Sequence, residues 1–156
     1  MYKWLTILFI VIFCSEKVTA QSDSSDAFAN MYGGYGKEFK IFWDKFRLDI
    51  KSNDSIKISK QIFYPVVVTY GNMKGSKQIR TRQEFLKQYS LLFDKRMRTF
   101  ILNQTDDSVN SVSKGIFIGA GNIWFEQRIN QQNGKISTKI VTINNNNSTW
   151  PRESAH

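Results

Sequence analysis

An α+β fold is predicted by three features of the sequence. Residues 39–50 and 85–93 carry aromatic and aliphatic side chains at helical spacing. A β-branched run, "FYPVVVTYG", stands between them. Short strand-like segments then follow one another, joined by turns that contain glycine and asparagine. Helices first and strands afterwards is the order of an α+β domain with a bent antiparallel sheet. A length of 156 residues suits one such domain with one core.

The first twenty residues stand apart. Lys3 precedes an apolar run from Trp4 to Phe13, and Val18 and Ala20 present the side chains a signal peptidase reads. Residues 1–20 are expected to be a signal peptide cut near Ala20, sending the chain to the periplasm or outside the cell. The apolar run is too short to span a bilayer, so no transmembrane anchor is expected. Residues 21–36, polar and rich in glycine, read as a flexible leader.

In "KEFKIFWDKFRLDIKSN", Phe39, Phe42, Trp43, Phe46 and Ile50 share one face of a first helix. "NDSIKISKQI" reads as a short second helix capped by Asn53 or Asp54. In the strand that follows, Pro65 has no N–H to donate and must sit near the start or on an edge. "TRQEFLKQYSLLFDKRM" reads as one long helix. Thr81 and Glu84 have the spacing of a capping box, and Phe85, Leu86, Tyr89, Leu92 and Phe93 form its buried face. Lys95, Arg96 and Arg98 would gather at its C-terminus, where cations suit the helix dipole, with an anion site as the alternative account of the cluster. "TFILNQ" reads equally as helix or strand.

"GIFIGAGNIWFEQR", residues 115–128, could be a phosphate cradle or a bend in a sheet. A cradle needs a helix after the glycines, whereas "NIWFEQRI" is aromatic and β-branched. The glycines therefore bend a sheet or turn a hairpin. Asn133-Gly134 signals a two-residue hairpin that pairs residues 122–130 with 135–143. Residues 144–156 begin with four asparagines and read as a disordered tail, leaving a domain at 37–143.

Charge and missing residue types narrow the chemistry. The formal charge of +9 is dispersed along the chain, which reads as a solvated basic surface. Outside the cytoplasm, such a surface would meet acidic polymers, anionic headgroups or an acidic protein rather than nucleic acid. Cys14 lies in the signal peptide, and the only histidine is His156. This excludes a nucleophile–histidine relay and leaves zinc without its usual ligands. No metal or other cofactor is expected. Acid–base work by a carboxylate or tyrosine remains. Glu126 shares a strand face with Trp124 and Arg128, opposite Ile123, Phe125 and Ile129. A charge pair with Arg128 is the simpler account of Glu126, and the three outer residues are a candidate sheet interface.

The helix "FWDKFRLDIKSND", the strand "IFYPV" and the hairpin region "GIFIGAGNIWFE" together resemble the nuclear transport factor 2-like, or cystatin-like, superfamily. The resemblance implies a curved antiparallel sheet wrapped by about three helices into a cone with a pocket in its mouth. It implies pocket walls at Trp43, Phe46, Tyr64, Tyr70, Tyr89 and Phe93, and a homodimer formed through the sheet. Family enzymes set an acid or histidine beside tyrosines inside the cone, and here the first strand carries no acid. Two functions follow as expectations. The first is an exported, non-catalytic module that binds a small apolar ligand or a protein partner. The alternative is a small lyase or isomerase using Glu126 with a pocket tyrosine.

Overall fold

Phe125 is the residue around which the chain folds. Its ring meets Phe39, Phe42, Trp43 and Phe46 edge-on, with centroids 5.5–6.1 Å apart. The four rings come from the aromatic stripe of one helix, and Phe125 from the inner face of one strand. The computed structural model describes residues 36–146. The predicted signal peptide, nearly all of the leader and residues 147–156 lie outside the described residues.

Helix α1 (Gly36–Lys51) and the short α2 (Ser55–Ser59) are followed by β1 (Ile62–Gly71) and β2 (Lys77–Ile79). Helices α3 (Arg82–Leu92) and α4 (Lys95–Asn103) come next, then a 3-10 turn (Asp106–Ser108). Strands β3 (Val109–Val112), β4 (Gly115–Ile118), β5 (Ile123–Ile129) and β6 (Ile136–Asn146) complete the domain. The architecture is α+β, with one six-stranded sheet in the order β2-β1-β6-β5-β4-β3.

The sheet is mixed, not antiparallel throughout, because β1 and β6 run parallel. Tight hairpins force antiparallel pairing only between neighbours in sequence. β1 and β6 are separated by two helices and four strands, which supply the long connection a parallel pair needs. Pro65 is the fourth residue of a strand with partners on both sides, so it lies near the start and not on an edge. The ladder makes room for it. Pairing with β2 begins at Val66, and pairing with β6 jumps from Ile62 to Val67.

The long helix expected over residues 81–97 is two helices, giving four rather than three. Phe93 leaves helical geometry, and Asp94 turns extended. The Asp94 carboxylate accepts from the Met97 N–H at 2.8 Å, capping α4. "TFILNQ" is therefore largely helical. Lys95, Arg96 and Arg98 consequently stand on the first turn of α4, not the last turn of a longer helix. The Thr81 hydroxyl caps α3 as expected, accepting from Glu84 N–H at 3.1 Å, but Glu84 itself accepts from Arg80 N–H at 3.0 Å.

β5 and β6 pair antiparallel from Ile123↔Ile143 to Ile129↔Ile136. The turn between them is longer than two residues. Asn130 N–H donates to the Lys135 carbonyl, and Gly134 takes a left-handed φ of 65°. β6 also runs three residues past the expected domain end. Its asparagines act as ties: Asn144 donates to the Gly121 carbonyl, buried Asn145 to Leu91, and Asn146 to Met73. A run that looks low in complexity thus joins the strand to three other parts of the molecule.

Candidate functional site

The sheet separates the predicted site residues into two sets. On the inner face, Trp43, Phe46 and Phe93 are fully buried and Tyr89 is nearly so. Phe46 meets Phe93, Phe93 stacks on Tyr89 at 5.5 Å, and Phe85 contacts Tyr64, Tyr89 and Phe93 edge-on. Five of the six proposed pocket walls therefore lie in one continuous ring network, filled by their own side chains. Tyr70 stands apart, donating to Gln88 at 3.2 Å. Burial pushes the Tyr64 phenol up to about 12, against the pull of Arg82. Burial raises Tyr89 as well, against the pull of Arg98. Both phenols stay protonated near neutral pH, Tyr64 donating to the Ser59 carbonyl and Tyr89 to Asn53.

On the outer face lie Trp124, Glu126 and Arg128. Trp124 stacks on its cross-strand partner Phe117, with centroids 4.7 Å apart. Glycines make this possible. A Cβ on Gly121 would stand 3.0 Å from the indole nitrogen; one on Gly115 would meet the Phe125 carbonyl oxygen at 2.9 Å and the Trp124 ring at 3.6 Å. Both glycines also hold positive φ, at 87° and 145°. β5, not a helix, follows Gly121, so the glycines bend the sheet and seat a tryptophan rather than cradle a phosphate.

Glu126 accepts both arms of the Arg128 guanidinium, at 2.7 and 3.1 Å. The same guanidinium lies 4.0 Å above the Phe63 ring. Glu126 and the tyrosines Tyr64 and Tyr89 are on opposite sides of the sheet, so the structure does not bring the proposed acid–base pair together.

Two basic surfaces bring together residues of separate elements, and the sequence marks only the Lys95–Arg98 part of the second. A cleft of about 500 Å³ is lined by Phe42, Lys45, Lys57, Lys60, Gln61, Thr138 and Lys139. Much of its charge is answered locally. Lys45 pairs with Asp49 at 2.6 Å and Lys57 with Asp54 at 3.0 Å. Lys139, whose pKa burial lowers, donates to the Lys60 carbonyl. The second surface lies between α1 and α4. Two adjoining hollows of about 310 and 170 Å³ share Lys51 and Leu102. Arg47, Leu48 and Asp44 line one, and Lys95, Arg98 and Thr99 line the other. None of the six proposed pocket residues borders either surface.

Among the described residues no group of three or more histidine, cysteine, aspartate or glutamate side chains could hold a metal ion. No helix among them is long and apolar enough to cross a membrane. Compared with protein families, curated proteins and solved structures, the chain matches none.

Proposed function

We propose that this chain is an exported, non-catalytic interaction module whose working surface is the outer face of its sheet. Export rests on the expected signal peptide, residues 1–20. In this reading the helices and sheet form a cone of the nuclear transport factor 2-like kind, plugged by Phe125 and the rings around it. A small apolar ligand then has no interior to enter. The observation that carries the reading is the contrast between the closed inner rings and the partly exposed Trp124–Phe117 stack. Large aromatics left partly wet are frequent at protein interfaces. The occupant proposed is a second copy of the chain, meeting it through Trp124, Glu126 and Arg128. Lyase or isomerase chemistry would need Glu126 beside a tyrosine, and the sheet stands between them.

Sedimentation velocity on residues 21–156 tests this. The wild type is expected to dimerise at micromolar concentration, and Trp124→Ser to weaken the dimer by about tenfold or more, since a central interface tryptophan is worth over 1.4 kcal/mol. A wild type that stays monomeric at hundreds of micromolar would end the proposal. So would native mass spectrometry that finds a small apolar molecule retained by the purified chain, because the interior would then be open.

A further inference from the structure

The α1–α4 groove gathers four cations: Arg47 and Lys51 from α1, Lys95 and Arg98 from α4. Among the described residues, none is in a salt bridge with a carboxylate. Asp44, the acid on the wall, is paired with Lys40 at 2.6 Å. Asp94, next to Lys95, is engaged in capping α4. Arg47 donates one Nη to the Leu102 carbonyl at 2.9 Å and lies 5.7 Å from the centroid of Trp43. Its Nε, and the Nε of Arg98, are buried and make no hydrogen bond among the described residues. Lys95 and Arg98 also sit on the first turns of α4, the end of a helix where its dipole opposes cations. Arg47 is tied to Leu102, and Lys51 stands at the C-terminal end of α1, which suits a cation, so the uncompensated charge is that of Lys95 and Arg98.

We propose that this groove binds a phosphate group carried by an amphipathic molecule. The guanidinium groups of Arg47 and Arg98 offer their remaining N–H groups to phosphate oxygens, and the ammonium groups of Lys51 and Lys95 add charge without demanding geometry. Leu102 forms the shared apolar floor, and Leu48, 66% exposed, stands at the rim where an acyl or other apolar part would lie. The Lys45–Lys57–Lys60–Lys139 cleft is the weaker anion site, because Asp49 and Asp54 already answer two of its lysines. The groove lies on the helices and the proposed interaction face on the sheet, so either can fail without the other.

The test uses ¹⁵N-labelled residues 21–156, following the Nε–Hε signals of Arg47 and Arg98. Titration with inorganic phosphate is expected to move both signals saturably. Lys95→Gln and Lys51→Gln should each weaken binding by about tenfold, the loss of one charge-assisted contact. Lys60→Gln should leave it within about twofold. Co-sedimentation with phosphatidylglycerol vesicles, against phosphatidylcholine, separates the sources. Vesicle binding that Leu48→Ser reduces identifies a lipid headgroup. Phosphate binding without vesicle binding identifies a soluble phosphorylated molecule. Absence of any saturable shift would overturn the proposal. So would equal losses from Lys95→Gln and Lys60→Gln, which would mark diffuse charge rather than a site.

Discussion

Trp124 and Phe125 are neighbours on one strand and have opposite fates. Phe125 points to the helices and is wholly buried among four rings. Trp124 points the other way, rests on Phe117 and keeps part of its surface wet. The alternation of a strand dictates the separation. It does not dictate which face is crowded. The lesson concerns aromatic residues as signs of function. A face rich in rings becomes a ligand wall only if the rings fail to reach one another, and on the inner face they reach. On the outer face two glycines hold space open so that one ring can lie flat.

The largest expected effect tests that contrast directly. Phe125→Ala should destabilise the domain by about 3–5 kcal/mol, because the cavity it leaves is walled by rings that cannot all collapse inward. Trp124→Ala should cost about 1–2 kcal/mol in the monomer, since only part of its area leaves water. Urea unfolding of the two variants measures both. If Trp124→Ala proved the costlier change in the monomer, the assignment of inner and outer faces would be reversed.

Much of the inner face was readable in the sequence. The spacing of Phe39, Phe42, Trp43, Phe46 and Ile50 specified a helix and its inner side; four of the five are buried and Phe42 is half-buried against them. Glycines among β-branched residues specified a bend or hairpin in a sheet rather than a phosphate loop, and a hairpin is what forms. What escaped was of two kinds. Local competition hid the break at Phe93–Asp94. The apolar pattern runs through it, and only Asp94, a good cap followed by helix formers, could have signalled a restart. Long-range pairing hid the rest. Nothing near β1 specifies that β6, some seventy residues later, will lie parallel to it. The α1–α4 groove depends on the same kind of information. Arg47 and Lys51 meet Lys95 and Arg98 only because two helices pack side by side. The asparagines of β6 were misread for a third reason, since composition alone does not reveal that each side chain has a carbonyl to bond.

Tyr64 stands at the border between the two environments and gives the middle-sized effect. Its ring packs on Phe85, while its hydroxyl reaches the Ser59 carbonyl at 3.2 Å. The phenol titrates near 12 in the folded chain, above its ordinary value of 10.0. The folded state therefore holds a proton that the unfolded state releases. The stabilisation is fully present below pH 10 and is lost as pH rises from about 10 to 12. Tyr64→Phe should cost about 0.5–1.5 kcal/mol at neutral pH, the worth of one hydrogen bond. That cost should shrink as the pH passes 10. Urea unfolding of wild type and variant at about pH 8 and about pH 11 checks this. A gap that stays flat with pH would show that the hydroxyl is free in water and that the inner face is open there.

The smallest expected effect bears on the outer face alone. Glu126 and Arg128 form a two-pronged pair whose side chains remain 41% and 57% exposed. Water screens such a pair, so Glu126→Gln should cost no more than about 0.5 kcal/mol while the chain is monomeric, and less in high salt. The same substitution reads differently once the face is covered. Arg128 would then lose its partner in a place from which water is excluded, and the penalty would rise to several kilocalories per mole. Measuring Glu126→Gln across protein concentration thus converts a near-silent change into a probe of the surface. A cost that grows where the wild type associates places the pair inside the contact. A cost that stays flat through the association puts the contact elsewhere on the molecule, and the wet tryptophan beside the pair then belongs to no dimer.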